Sequence, residues 1–132
     1  VSWFNDSIAT SPERSMAAIR SFNKPLVVLL GGRDKNLPWE KLVKLLHRRV
    51  HDVILFGEAA DMIEPILKQQ RCSSSLLQFN KCKTLKDAVD KAAEIAQYGD
   101  VVLLSPGGTS YDEFEDFAER GERFKEWVQQ IS

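Results

Sequence analysis

Three short stretches carry residues whose types and spacing could do chemistry: NDSIATSP at 5–12, GGRDKN at 31–36 and SPGGTSYDEF at 105–114. Each follows an apolar run. In an open parallel sheet such positions are strand exits, where ligands bind. Lys35 supplies a point charge suited to a carboxylate, while Ser110 and Thr10 supply hydroxyl or backbone donors. The third stretch runs into Asp112, Glu113, Glu115 and Asp116. Four carboxylates at the start of a helix complement its dipole and repel a phosphate, so this loop is not read as a phosphate cradle. Nor does any exit show the G-x-x-x-x-G-K-[ST] or G-x-G-x-x-G spacing. His47 and His51 sit four apart, but without the intervening Glu of H-E-x-x-H they are not read as metal ligands.

The elements that must position these exits follow from periodicity. Apolar runs at 1–4, 25–30, 53–56, 76–79 and 101–104 alternate with segments of helical spacing. That alternation predicts a Rossmann-like three-layer α/β fold: a mostly parallel sheet of about five or six strands with helices on both faces. Ser11-Pro12 predicts an N-cap with Pro at the first helical position, and Thr84-x-x-Asp87 predicts a capping box with Asp in place of Glu. Pro38 marks the start of the second helix. Pro65 predicts a kink or early stop in a helix over 58–70. Ser110-x-x-Glu113 is a full capping box, predicting a last helix that starts there and buries Phe114, Phe117, Phe124, Trp127 and Val128.

Composition removes other classes. The 132 residues are 43% hydrophobic with a formal charge of -1, which suits one domain with one core and is not the composition of a disordered chain. The basic residues form no stripe that would track a nucleic-acid backbone. No run approaches the length of a membrane span and no signal peptide is seen, so a cytoplasmic setting is expected. Cys72 and Cys82, with no Cys-x-x-Cys or Cys/His cluster, are read as reduced structural thiols. The chain opens without Met on VSWFND, as a piece of something larger would.

Taken together, NDSIATSPERSMAAI, LLGGRDKN and LLSPGGTSYDEFEDFAERGERF resemble the C-terminal domain of the muramyl ligases, and within that family its D-glutamate-adding branch. The resemblance runs from Val1 to the C-terminus, and its order and spacing are more specific than any single motif. It implies that residues 1–132 are a single domain without internal boundary, the amino-acid-binding domain of a larger ATP-dependent ligase. That enzyme would phosphorylate the alanyl carboxylate of UDP-N-acetylmuramoyl-L-alanine and let the amine of D-glutamate attack the acyl phosphate, in peptidoglycan synthesis. ATP and Mg2+ would be held mainly by an upstream domain, so the fragment alone is expected to be inactive. Carried over by position, Thr10, Lys35, Ser110, Tyr111 and Phe117 would surround D-glutamate, and Asp6 would reach the nucleotide ribose. This domain would contribute no catalytic residue and no metal ligand.

Two positions depart from the family pattern. Ile8 stands where the family often has Lys, which removes a cationic contact to nucleotide, and Gly107-Gly108 replaces bulkier residues and loosens the loop. The rival readings are another muramyl ligase or a folylpolyglutamate synthase, and, from a different class, a non-enzymatic flavodoxin-like or receiver-like binding module. A receiver requires a phosphoacceptor Asp at a strand end, and LFGEAAD offers none there.

Overall fold

A computed structural model describes residues 1–33, 38–70, 77–110 and 113–131. Lys35, Cys72, Leu76, Tyr111 and Asp112 lie outside these residues. The chain alternates β1 (Ser2–Asn5), α1 (Pro12–Arg20), β2 (Leu26–Gly31), α2 (Glu40–Arg49), β3 (Asp52–Phe56), α3 (Ala60–Gln69), β4 (Gln78–Lys81), α4 (Leu85–Ile95), β5 (Val101–Gly107) and α5 (Phe117–Ile131). Five parallel strands form one sheet in the order β1-β5-β2-β3-β4. The central strands β2 and β5 are buried along their whole length, as continuous apolar runs covered on both faces must be.

Alternate residues of each strand feed two cores. One face packs Val28, Leu30, Val53 and Leu55 against α1, α2 and α3 through Ile19, Leu42, Leu46, Ile63 and Leu67. The other packs Val27, Leu29, Ile54 and Phe56 against α4 and α5 through Leu85, Val89, Ala92 and Phe124. This is the predicted three-layer architecture, with five strands. Each such Leu, Ile or Val fully removed from water contributes about 1.5–3 kcal/mol, enough to set element positions against weak local signals.

The expected helix starts divide into kept and displaced. Ser11 caps α1 through its side chain, which accepts from the Arg14 amide at 3.4 Å, and Pro12 takes the first helical position. Thr84 caps α4, accepting from the Asp87 amide at 3.2 Å. Ser110 does not cap the last helix. Its carbonyl accepts from the amides of Glu113 and Phe114 in a single turn, and α5 begins at Phe117 with the Asp116 carboxylate accepting from the Glu119 amide at 2.9 Å. Glu113, the expected partner in that box, instead accepts from the Leu85 amide at 3.2 Å and closes the start of α4. The carboxylates after the fifth exit thus serve two helix N-termini.

Three smaller differences have packing reasons. Helix α3 continues to Gln69 past Pro65, carried by Ile63 and Leu67, which are fully buried on the sheet. Strand β4 runs over Gln78–Lys81, two residues later than expected, because a half-exposed edge strand reading QFNK has little apolar periodicity to mark it. Phe117 leaves the expected buried stripe and is 42% exposed.

Candidate functional site

The strand order brings the exits of β1, β5 and β2 side by side at one end of the sheet. After β1 the chain turns immediately: the Asp6 amide donates to the Leu104 carbonyl at 2.7 Å, and the Ala9 amide returns to the Asp6 carbonyl at 2.9 Å. The Asp6 carboxylate accepts from the Ser105 hydroxyl at 2.9 Å. The Gly107 amide donates to the Ala9 carbonyl at 2.8 Å. Beneath this seam the buried Ser15 hydroxyl of α1 donates to the Ser105 carbonyl at 2.7 Å. The first and fifth exits are therefore bonded to each other along their length.

The second exit joins from the other side. Arg33 and Thr109 exchange backbone hydrogen bonds at 2.8 and 2.9 Å, a short antiparallel bridge added beyond the parallel ladder. Close approach requires glycine here. A Cβ on Gly108 would lie 2.6 Å from the Gly31 carbonyl oxygen, and one on Gly32, whose φ is +98°, would lie 2.3 Å from the Thr109 carbonyl oxygen. The Gly107-Gly108 pair thus serves contact with neighbouring segments, and the expected looseness of this loop gives way to bonding on both sides.

Of the residues proposed from sequence, Asp6 and Thr10 lie half-buried on the first exit and Ser110 lies on the fifth, 2% exposed. Phe117 stands at the start of α5, and its carbonyl accepts from the Ser7 hydroxyl at 2.7 Å, which binds it to the first exit. Lys35 and Tyr111 fall outside the described residues. Ile8 is half-exposed beside Asp6, where the two line a cavity of about 490 Å³ with Phe4, Arg14 and Phe22.

Two residues of this region were not anticipated. Arg120 is wholly buried, its Nε donating to the Ser7 hydroxyl at 2.9 Å and a terminal nitrogen donating to the Ser7 carbonyl at 2.8 Å. Ser7 receives it at the first exit, itself only 4% exposed. The signal was present in spacing: Arg120 lies three residues after Phe117 and four before Phe124, on the apolar stripe of α5, where a charged residue must be held by specific partners.

The exits of β3 and β4 form a second region, a cavity of about 550 Å³ lined by Glu58, Asp61, Lys81, Cys82, Lys83 and Glu113, among others. Ion pairs form on the surface around it: Arg33 to Glu58 at 3.0 Å and Lys81 to Asp61 at 2.8 Å. The Arg33 hydrogen bond holds the Glu58 carboxyl below its usual range, and the bond to Asp61 raises the Lys81 ammonium above its own. Burial, then the nearby Asp87 charge, raises the Cys82 thiol, so it is a poor nucleophile. Among the described residues no three His, Cys, Asp or Glu side chains cluster as a metal site, and no helix is long and apolar enough to cross a membrane.

Comparison with known proteins assigns this arrangement to a family. Residues 1–108 match the family described as Mur ligase, glutamate ligase domain. UDP-N-acetylmuramoylalanine–D-glutamate ligase of Acetivibrio thermocellus is 40% identical over 134 residues, covering 99% of this chain and 29% of that protein. The ligase of the same name from Clostridium tetani is 39% identical over 132 residues, with the same coverage. This chain thus spans about 29% of the length of such relatives. Among solved structures, the fold is shared with UDP-N-acetylmuramoyl-L-alanyl-D-glutamate–2,6-diaminopimelate ligase (TM-score 0.59, 18% identity) and with E. coli FolC in complex with ADP (TM-score 0.60, 16% identity). Each superposition covers 92% of this chain and 28% of the other.

Proposed function

Because the chain belongs to the Mur ligase family through its glutamate ligase domain, we propose that it is the C-terminal, amino-acid-binding domain of an ATP-dependent ligase that joins D-glutamate to UDP-N-acetylmuramoyl-L-alanine. The observation that carries this reading is the 40% identity, over 99% of the chain, to a ligase named for that reaction. The bonded exits of β1, β5 and β2 support it, since Thr10 and Ser110, two of the residues proposed for D-glutamate, lie on these segments. The diaminopimelate-adding ligase and FolC share the fold at 16–18% identity and lend no weight to another substrate.

In this reading the domain binds and orients. Lys35 pairs with a carboxylate of D-glutamate. Thr10 and Ser110 offer hydroxyl or backbone donors, and Tyr111 and the exposed ring of Phe117 form the wall that keeps water from the incoming amine. Asp6 reaches the ribose of ATP with the carboxylate oxygen not taken by Ser105. The acyl phosphate that the amine attacks forms on the alanyl carboxylate of the other substrate, so this domain needs no nucleophile of its own. ATP, Mg2+ and the UDP-sugar are held mainly by upstream domains of a longer cytoplasmic protein, and the isolated domain turns over no ATP.

Steady-state ADP release by the full-length protein, with a panel of amino acids, tests the reading: D-glutamate is expected to support turnover, and use of a different amino acid would overturn the assignment. Lys35→Ala sharpens it. Loss of a charge-assisted hydrogen bond of roughly 1.5–3 kcal/mol should raise KM for D-glutamate about ten- to a hundredfold, leaving the constants for ATP and the UDP-sugar little changed.

A further inference from the structure

The Arg120 side chain spans the junction between α5 and the first exit. It starts on α5, binds Ser7 on the first exit through two of its nitrogens, and brings the third to the second exit, where a Cβ on Gly32 would lie 2.9 Å from it. The Ser7 hydroxyl passes the connection on, donating to the Phe117 carbonyl at 2.7 Å while accepting from Arg120. Helix α5 crosses this point so closely that a Cβ on Gly121 would lie 2.8 Å from the Asn5 side-chain Nδ2. A buried guanidinium is costly to desolvate, and an apolar side chain of similar size would often stabilise the fold as well or better. The planar fork does what such a side chain cannot, fixing several acceptors in one geometry.

We propose that Arg120 is a positioning residue for D-glutamate: acting through Ser7, it holds the Thr10 segment and Phe117 in register, so that the amino-acid pocket is preformed. The proposal rests on the D-glutamate reading above. Asp6, by contrast, is pinned by Leu104 and Ser105 without help from Arg120. The effect of losing Arg120 therefore falls on the amino acid rather than on ATP.

The test is a kinetic double-mutant cycle of Arg120→Lys and Ser7→Ala in the full-length protein, with each substrate varied and melting temperature recorded. Lysine keeps the charge but offers a point donor that cannot reproduce the planar fork to the two Ser7 acceptors. Arg120→Lys is expected to raise KM for D-glutamate about tenfold with kcat and the ATP constant nearly unchanged, and Ser7→Ala about threefold. The double variant should be no worse than Arg120→Lys alone, because the two side chains act as one unit. A fall in melting temperature and in kcat with an unaltered D-glutamate KM would assign Arg120 to stability alone and overturn the proposal, as would two effects that simply multiply. Should Arg120→Lys fail to fold, Ser7→Ala decides, an unchanged D-glutamate KM again overturning it. Wild-type protein that shows no D-glutamate-dependent ADP release would overturn the functional reading, and this proposal with it.

Discussion

Two neighbouring regions at the same end of the sheet are built in different ways. Around the exits of β1, β5 and β2, backbone groups bond across segments, glycines admit close contact, and a buried guanidinium and the buried hydroxyls of Ser7, Ser15 and Ser105 fill the junction. Around the exits of β3 and β4, long charged side chains meet on the surface across an open cavity. Buried hydrogen bonds to well-placed partners are costly to break, whereas exposed ion pairs are screened by salt and contribute little. The first region is accordingly the rigid one, the property a binding site gains most from, and the second can change its side chains with small consequence.

The largest expected effect comes from Gly32→Ala, which places a methyl group 2.3 Å from the Thr109 carbonyl oxygen at a φ of +98°. A loss of about 3 kcal/mol or more is expected on chemical denaturation. A near-neutral result would mean that the Arg33–Thr109 bridge yields easily, and would break the contrast. Ser15→Ala is expected to cost about 1–2 kcal/mol, because it removes a buried donor to the Ser105 carbonyl. Asp116→Ala removes the cap of α5 and should cost about 1 kcal/mol, with the helix start fraying in amide exchange. Smallest is Lys81→Ala in the second region, for which no resolvable change in melting temperature is expected in physiological salt. Because its neighbours raise the Lys81 pKa, any stabilisation it gives is complete below its ordinary pKa and is lost as pH rises through the raised value. A marked, salt-resistant destabilisation by Lys81→Ala would place the second region with the first.

Most of the fold was legible because buried parallel strands and capped helices leave strong local marks. LVVLLG is unbroken by a polar residue, and Ser11-Pro12 and Thr84 cap as their types predict. Ser110-x-x-Glu113 shows the limit of such marks. The pattern is complete in sequence, yet Glu113 finds a better use in closing α4, a donor that only tertiary structure supplies. Likewise the strand exits could be picked out one at a time, while the bonds joining them could not, since Ser7 and Arg120 lie 113 residues apart. A charge at an apolar position of α5 was the one hint, and a surface reading of arginine conceals it.

The placement of β1 has a consequence for the order in which the molecule is made. Its ladder partner is β5, with Ser2 opposite Val101, so β1 waits through about a hundred further residues of synthesis for a neighbour. Strands β2, β3 and β4 pair in sequence order and bury their apolar faces with modest loop closure, whereas β1 closes a loop of about a hundred residues. On a ribosome emitting roughly 5–20 residues per second, this edge stays unpaired for several seconds. The seam between the first and fifth exits, where the proposed site lies, is then among the last parts of the domain to assemble.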